Sequence, residues 1–386
     1  VTAQLCHPQT SANDNGSGVA AALETARSLA ELARRGEWRP RRGVRFLWMP
    51  ELTGTHAWLE GAPERAARTL AALNLDMVGE NQQACGSTFL LEHPPCFSAS
   101  FATDLLSRIR AEALDWVDGF SGPGHYSMTR MAEVPYSGGS DHVTWIDPGV
   151  GVPCPLLIQW PDRYYHSSHD TVDRTDPASL ALAARCAATY AGFLAAAGEE
   201  ETGWLAGLVE RGAQRRLLAA LDGADAGAAG ARERLRGGRA LASLARLGRT
   251  AADCDAAVER FERFAVQLGA GGTCCAPSGP IPMRRVRAPL DFQPHLWEGY
   301  GRLRTEETEE LRRLLAEIAG GSTTLELAWA ACDGERSLGE IAALVAFETG
   351  STPPVGTDEP GAQGLARFFT LTARMGNSSW GATVRS

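Results

Sequence analysis

The sequence predicts an α/β fold followed by a helical segment and a small helical or winged-helix-like domain. Strand-like apolar runs alternate with helix-like periodic segments over residues 1–198, and this order builds a mostly parallel sheet with helices on both faces. From residue 199 the chain is rich in Ala, Leu, Arg and Glu at helical spacing. We therefore expect an α/β domain at 1–198, a helical segment at 199–270, a linker at 271–280 and a further domain at 281–386.

The elements of the first domain follow from the spacing of its apolar residues. In chain order they are a strand at "VTAQLC", a helix at "GVAAALETARSLAELARR", a buried strand at "GVRFLWMP", a helix at "APERAARTLAALN", a strand at "LNLDMVG", a strand at "PCPLLIQW" and a helix at "ASLALAARCAATYAGFLAAAG". The Gly- and Pro-rich stretch at 119–147 lacks a clear period, so we expect an irregular segment there.

The second half of the chain is predicted to be helical. The stretch "GADAGAAGA" is expected to form a loop inside the helical segment, and "GAGGTCCAPSGPIP" is typical of a linker. Helices are then predicted at "TEETEELRRLLAEIAG", "SLGEIAALVAFETG" and "AQGLARFFTLTARMG".

Composition excludes several classes of protein. With 386 residues and 44% hydrophobic content the chain can bury a full core. A net charge of −9 argues against general affinity for nucleic acid or anionic membrane, and no apolar run is long enough to suggest a membrane span. Nine cysteines without a CxxC pair favour reduced thiols in a cytoplasm over a disulfide framework or a cysteine zinc site.

The start of the chain and its residue usage indicate its source. Because Val1 begins directly inside a predicted strand, without an initiator Met or a visible leader, we expect the chain to be a fragment of a longer product. The abundance of Ala, Gly and Arg fits a GC-rich bacterial genome.

Residues that can bind metal or transfer protons recur where the predicted strands end. They are His7, Asp14, Glu51, Asp76, His166 and His169. Because open α/β sheets bind ligands at the carboxyl ends of their strands, these side chains could converge although they are far apart in sequence. Two neutral imidazoles and two carboxylates suit zinc, and a further carboxylate beside them can activate water.

Taken singly, each of these residues has a plainer interpretation. Asp14 could cap the helix that begins near Ser17, and His7 could be an ordinary surface or core histidine. Glu51 could be a solvated strand end, and Asp76 a cap or a turn residue. Five such residues at the ends of successive predicted strands, in the right order, nevertheless favour a metal site.

Five segments in order resemble the M28 zinc aminopeptidases. They are "HPQTSANDNGSGVAAALE", "FLWMPELTG", "LNLDMVG", "GGSDHVTW" and "YYHSSHDTVD", and they cover about residues 1–198. The resemblance implies a zinc-exopeptidase-like mixed sheet flanked by helices. A divergent branch of such proteins carries a C-terminal winged-helix-like module, which would account for the tail.

The resemblance also implies roles for individual residues. His7 would bind one metal, Asp14 would bridge two metals, and Asp76 would complete the first metal's ligand set. His166 would bind the second metal, and Glu51 would be the general base. Tyr165 would donate a hydrogen bond to the tetrahedral oxyanion, although Tyr164 could equally be the residue that faces inward.

Four further residues are expected to support the site without binding metal. His169 has no counterpart in the family, so it is interpreted as structural. Asp170 is expected to orient His166 or to cap a turn. The pair Asp141 and His142 is interpreted as pocket architecture.

One position departs from the family pattern. The family usually has two consecutive glutamates, the second of which binds metal, whereas this chain has Glu51 followed by Leu52. Because leucine cannot bind zinc, we expect about one tightly held Zn²⁺ per chain near Asp14, with two remaining possible.

The predicted function is aminopeptidase-like, zinc-dependent hydrolysis of a peptide or amide bond. The expected substrate is a small peptide or an amide-containing small molecule. The alternatives are a mono-zinc acyl transferase, cyclase or deacylase of the same fold, and a non-catalytic metal-binding module. We expect no nucleic-acid partner and no membrane. The oligomeric state is left open.

We predict that this protein does not bind duplex DNA, because acidic residues outnumber arginines in the tail and no basic stripe appears in it. Fluorescence anisotropy with a labelled duplex at physiological salt should show no binding. Salt-dependent binding at micromolar or tighter affinity would contradict the prediction.

Overall fold

The structure is a computed structural model. It describes residues 1–7, 11–114, 116–118, 122, 124–223, 226–270, 277–286, 289, 299–317, 321–350 and 360–384. Most of the predicted linker, at 271–276, lies outside the described residues, as do 8–10 of the first motif and 224–225 of the predicted loop.

The strands of the described chain are β1 (Thr2–Gln4), β2 (Leu47–Met49), β3 (Asn74–Asp76), β4 (Thr88–Glu92), β5 (Trp116–Asp118), β6 (His125–Ser127), β7 (Met131–Val134), β8 (Leu156–Trp160), β9 (Gly279–Arg284) and β10 (Ser378–Val384). The helices of the first half are α1 (Gly18–Arg34), α2 (Thr53–Glu60), α3 (Glu64–Arg68), α4 (Gln82–Cys85), α5 (Phe101–Glu112), α6 (His142–Ile146) and α7 (Pro177–Ala196). Those of the second half are α8 (Glu199–Leu221), α9 (Ala226–Ala242), α10 (Ala251–Gln267), α11 (Thr305–Glu317), α12 (Gly321–Ala331), α13 (Leu338–Thr349) and α14 (Pro360–Met375).

Six strands form one mixed sheet in the order β2-β1-β3-β8-β4-β7. Strands β2, β1, β3 and β8 run parallel, β4 runs antiparallel to β8, and β7 runs parallel to β4. The predicted α/β class with a mixed sheet is therefore confirmed. Since four neighbouring strands are parallel, their carboxyl ends meet at one edge of the sheet, where open α/β sheets place their ligands.

Several predicted elements differ from the observed ones. The strand predicted as buried at "GVRFLWMP" is β2, which is half-buried because it forms the edge of the sheet and has one neighbour. The helix predicted over "APERAARTLAALN" ends at Arg68, since the chain must become extended to enter β3, and the Ala72 N–H already donates to the Pro153 carbonyl. The loop predicted at "GADAGAAGA" is shorter than expected because α9 begins at Ala226.

Other elements have no counterpart in the sequence prediction. The stretch expected to be irregular at 119–147 contains β6, β7 and α6, and β4, α5 and α12 were not anticipated. Along β7, exposed residues alternate with half-buried ones, so the strand lacks the apolar run that identifies a buried strand.

One hydrophobic cluster extends from the sheet into the helical segment. It joins Leu75 and Leu157 of the sheet to Leu105 of α5, and then to Leu205 of α8 and Phe261 of α10. The composition of the chain changes at residue 199, but the core continues across that point. The helical region that follows the sheet is thus packed on the α/β domain.

The tail has a core of its own that also contacts the first domain. Trp329, Phe368 and Phe369 lie in this second cluster, together with Cys96 and Phe97 from the α/β domain. The Cys96 backbone N–H donates to the Glu348 carboxylate at 2.7 Å. Strands β9 and β10 pair antiparallel beside the helices. A winged-helix-like fold for this tail stays a prediction.

Helix α7 is long and apolar enough to cross a membrane by length and composition alone, and it is the one such helix among the described residues. Half of the apolar stretch of this helix is buried inside the protein. It packs against α1, and the Tyr190 hydroxyl donates to the Ala72 carbonyl at 3.1 Å. Packing within the core therefore accounts for its apolar composition.

A buried ion pair joins the tail to the α/β domain. Arg284 Nη1 lies 2.9 Å from Asp147 Oδ2, and the two side chains are 8% and 1% exposed. The Arg284 guanidinium also lies 4.9 Å from the centroid of the Trp329 ring. Burial raises the pKa of Asp147, and the nearby Arg284 opposes that rise.

We predict that Arg284→Leu strongly destabilises the protein, because it leaves Asp147 buried without its cation. Losing one partner of a buried pair typically lowers the free energy of unfolding by about 3–5 kcal/mol. Urea denaturation at neutral pH measures the change. The control is Arg34→Leu on the surface of α1, expected within about 0.5 kcal/mol of the unmodified protein. Equal effects of the two variants would contradict the prediction.

Candidate metal centre

The Asp14 carboxylate lies between two imidazoles. Its Oδ1 is 3.3 Å from His7 Nε2, and its Oδ2 is 3.1 Å from His166 Nε2. The two imidazole centroids are 5.2 Å apart. Potential ligand atoms of all three residues lie within 4.8 Å of one another. The structure thus brings together three of the four residues predicted to bind metal.

The turn that carries Asp14 is held by another carboxylate. Asp170 accepts hydrogen bonds from the backbone N–H groups of Asn13 at 2.8 Å and Asp14 at 2.9 Å. Asp170 therefore caps this turn, which is one of the two roles expected of it. Asn and Asp favour such turns because their short side chains and local backbone groups bond one another readily.

Asn15 joins the same turn to β3. Its side-chain amide donates to the Leu75 carbonyl at 2.9 Å, and its Oδ1 accepts from the Met77 N–H at 3.1 Å. Gly18 is required at the start of α1, because a Cβ there would collide with the Leu75 carbonyl and the Asn15 side chain. The glycine lets the helix begin directly against the strand.

Asp76 is buried at the end of β3 and held by two side chains. Gln4 Nε2 lies 3.3 Å from Asp76 Oδ2 and 3.1 Å from Asp14 Oδ1, so one amide donates to both carboxylates. The Ser140 hydroxyl donates to Asp76 Oδ2 at 2.6 Å. Asp76 is therefore next to Asp14, but it is absent from the three-residue ligand groups of the described chain. Its role as a metal ligand stays a prediction.

Glu51 follows β2 and lies beside His7. Cys6, His7 and Glu51 form a second group whose potential ligand atoms are all within 4.8 Å of one another. The next residue, Leu52, is fixed through its backbone, because its N–H donates to Asp141 Oδ1 at 2.8 Å. Asp141 also accepts from the Thr55 hydroxyl at 2.8 Å, which fits the expected supporting role of this residue.

Unusual backbone conformations mark the same place. The non-glycine residues with positive φ in the described chain are Leu52, Met77 and His166, at 54°, 52° and 52°. Leu52 directly follows Glu51, and Met77 directly follows Asp76. His166 carries the second imidazole of the site. Such conformations cost on the order of 1–3 kcal/mol each, and they concentrate at functional sites.

The carboxylates of the site repel one another in a buried setting. Burial and the charges of Asp170 and Asp162 raise the pKa of Asp14 to about 6. Burial and Asp14 raise the pKa of Asp76 to about 7. For Glu51, burial together with Asp76 and other carboxylates raises the pKa to about 9. A cation at this place would offset the accumulated negative charge.

The donor set fits zinc. Imidazole nitrogen, carboxylate oxygen and thiol sulfur are the groups that Zn²⁺ prefers. His7 Nε2 is buried and makes no hydrogen bond, although Asp14 Oδ1 lies 3.3 Å away, so this nitrogen could bind metal. Burial and then the proximity of His7 lower the pKa of His166, which favours the neutral form of this imidazole that binds metal.

The two tyrosines considered for the oxyanion role differ in their surroundings. Tyr165 stacks on His166 with centroids 3.7 Å apart. Burial and the charges of Asp14, Glu51 and Asp76 raise its pKa to about 12. Tyr164 instead lies under Arg174, whose guanidinium carbon is 4.5 Å from the ring centroid. The surroundings of Tyr165 place it with the site carboxylates.

The remaining predicted neighbours lie around the centre. His169 is exposed, and its backbone N–H donates to Ser167 Oγ at 3.2 Å. The structural interpretation of His169 stays a prediction. His142 is buried and pairs with Glu92 Oε1 at 2.9 Å, so it supports the loop that carries Ser140.

Sequence reasoning missed Gln4, Ser140 and Cys6. Gln4 had one usable signal, since its amide side chain falls inside the predicted strand "VTAQLC". Ser140 lies in the quoted motif "GGSDHVTW", but its spacing does not show which side chain it would meet. Cys6 and Glu51 are far apart in sequence, and the pairing of β1 with β2 brings them together.

The fold and the site define an α/β domain with imidazoles and carboxylates gathered at the carboxyl edge of its sheet. Residues 3–191 match the model of peptidase family M28, and this part of the chain is an M28 peptidase domain. The family implies metal-dependent hydrolysis with peptide substrates. No curated protein sequence matches the chain.

Two solved structures are similar to part of the chain. An aminopeptidase from Aneurinibacillus sp. strain AM-1 is 22% identical with a TM-score of 0.39, and the match covers 51% of this chain and 44% of that one. A "putative peptidase" from Clostridium acetobutylicum is 18% identical with a TM-score of 0.40, and the match covers 68% of this chain and 55% of that one. This chain thus spans less than two thirds of the length of each of these two solved proteins.

We predict that zinc stabilises the protein more strongly as the pH rises. Folding raises the pKa values of Asp14, Asp76 and Glu51 to about 6, 7 and 9. The folded protein therefore loses stability as the pH rises from about 4, where such groups ionise in the unfolded chain, through these values. Zinc binds the charged forms and offsets this loss. At a hundredfold excess over Kd the gain is about 2.7 kcal/mol.

Thermal unfolding with and without zinc, over about pH 5 to 8, tests this prediction. Asp14→Ala should remove both the zinc effect and its pH dependence. A zinc-induced rise in Tm that is equal in Asp14→Ala and the unmodified protein would contradict it.

Proposed function

We propose that the M28 domain hydrolyses a peptide or amide bond with the help of zinc, in the manner of an aminopeptidase. The observation that carries the proposal is the Asp14 carboxylate held between His7 and His166, 3.3 Å and 3.1 Å from their Nε2 atoms. A structural ion pair would not need two imidazoles on one buried carboxylate. Such an arrangement suits a metal that both imidazoles and the carboxylate can bind.

His7, Asp14 and His166 would hold the ion, with Asp76 next to them. When bound, zinc supplies Lewis-acid polarisation of a carbonyl oxygen and makes water more acidic. Because Leu52 brings no carboxylate, one ion per chain is the proposed content. Gln4 and Ser140 keep Asp14 and Asp76 oriented by donating hydrogen bonds to their oxygens.

Glu51 is the proposed general base. It accepts a proton from the attacking water and later donates it to the leaving amine. Burial and the carboxylates around it raise its pKa to about 9 without a cation, and the positive charge of a bound zinc ion would favour the ionised form that accepts the proton. The Leu52 N–H bond to Asp141 fixes the backbone beside Glu51, which keeps the carboxylate next to His7.

Tyr165 is the proposed donor to the tetrahedral oxyanion. Because its pKa is raised to about 12, the hydroxyl keeps its proton at neutral pH and can donate a hydrogen bond. Its ring packs on His166 and makes an edge contact with Trp160, with centroids 5.0 Å apart. These two contacts restrict the ring to the side of the site.

We predict that Glu51→Gln lowers kcat by about a hundred- to ten-thousand-fold while zinc content stays near that of the unmodified protein. Gln keeps the volume of Glu and removes the proton acceptor. Zinc content by elemental analysis and amide hydrolysis on a panel of aminoacyl amides are measured on the same sample.

The matched comparison is His7→Ala, which should lose zinc and activity together. If Glu51→Gln releases zinc, the base assignment fails and Glu51 is a ligand. If activity survives in Glu51→Gln, the mechanism is wrong. If the unmodified protein binds zinc without hydrolysing any amide, the non-catalytic alternative gains support.

A further inference from the structure

A thiol lies at the edge of the proposed metal centre. Cys6 directly precedes His7, and it is the exposed cysteine of the described chain, whereas the other described cysteines are buried. Its Sγ donates to Gln4 Oε1 at 3.0 Å, and Gln4 in turn donates to Asp14 and Asp76. Cys6 is thus connected to the site through one amide side chain.

Parallel strand pairing places Cys6 beside Glu51. Register in β1 and β2 matches Gln4 with Met49, and the Leu5 N–H donates to the Met49 carbonyl at 2.9 Å. Because side chains alternate along an extended chain, Cys6 lies on the same side as Gln4. The Glu51 backbone hydrogen-bonds the Cys6 sulfur. The position of the sulfur therefore follows from the sheet itself.

The ligand groups of the described chain connect Cys6 to His7. Potential ligand atoms of Cys6, His7 and Glu51 are within 4.8 Å of one another, whereas Asp76 shares no such group with His7. Both oxygens of Asp76 already accept hydrogen bonds, from Gln4 and from Ser140. The Cys6 sulfur makes two weak hydrogen bonds, with Gln4 and with the Glu51 backbone, and so has fewer interactions to give up than Asp76.

We propose that the Cys6 thiolate is a further ligand of the zinc ion that His7, Asp14 and His166 hold. The inference rests on the proposed function, because it concerns the same ion. Zinc at a catalytic site can expand from four to five ligands, which leaves a position for water beside four protein ligands. Binding releases the thiol proton to solvent, since the thiolate is the form that coordinates metal. Glu51 remains beside the ion as the base.

A thiolate also narrows the choice of metal. Sulfur ligands favour zinc over the hard cations Mg²⁺, Ca²⁺ and Mn²⁺, which prefer oxygen. The centre would then combine one sulfur, two nitrogen and one oxygen donors. Leu52 supplies no carboxylate, and Cys6 offers a donor that the resemblance to the M28 aminopeptidases does not include.

Cobalt substitution of the full chain tests the proposal. Co²⁺ bound at the site gives visible ligand-field absorption, and a sulfur ligand adds a thiolate-to-cobalt charge-transfer band in the near ultraviolet. We expect both signals in the unmodified protein. Cys6→Ser and Cys6→Ala should keep the visible bands and lose the charge-transfer band, and zinc affinity measured against a chelating dye should fall at least about tenfold.

Cys85→Ser is the matched control, because Cys85 belongs to a separate group with Glu80 and Asp162. It should keep the charge-transfer band. As a second measurement, zinc should protect Cys6 from alkylation by iodoacetamide, followed by peptide mapping. Circular dichroism checks that each variant is folded.

The outcomes separate this inference from the proposed function. Visible bands without charge transfer, or charge transfer that survives in Cys6→Ser, overturn the Cys6 ligand and leave the metal site in place. Equal alkylation of Cys6 with and without zinc does the same. If cobalt gives no bands at all, the metal centre itself is wrong and both proposals fail.

Discussion

Buried negative charge at the carboxyl edge of the sheet is the constraint on which the rest of the site depends. Asp14, Asp76 and Asp141 are each less than 5% exposed. The negative charges of all three contribute to the raised pKa of Glu51. Taking a carboxylate out of water costs several kcal/mol unless hydrogen bonds or opposite charges compensate. Among the described residues no arginine pairs with these four groups, so hydrogen-bond donors and a metal ion are the available compensation.

The scaffold around the site is built to tolerate this charge. Asp170 holds the turn that carries Asp14, and Gln4 and Ser140 donate to the carboxylates. Three positive-φ residues show that the chain accepts local strain to place these groups. Such strain persists only where the surrounding packing is strong, and the continuous cluster from the sheet through α8 and α10 supplies it.

The tail is physically connected to the same loop. Helix α6 begins after Asp141, which holds Leu52, and ends before Asp147, which pairs with Arg284 of the tail. A short helix thus has the site at one end and the tail at the other. This contact explains why a charged pair is retained in a buried position: it holds the tail against the helix that supports the site.

The sequence by itself determined the α/β class, the main parallel strands, and the identity of His7, Asp14 and His166 as residues that meet. Strand periodicity and the position of polar residues after each strand are local signals, and parallel strands end at one edge. Only the tertiary structure decided the reversed β4, the support from Gln4 and Ser140, and the contact of Cys6 with His7 and Glu51. These depend on register and on pairing between distant segments, which set side-chain contacts that no local pattern encodes.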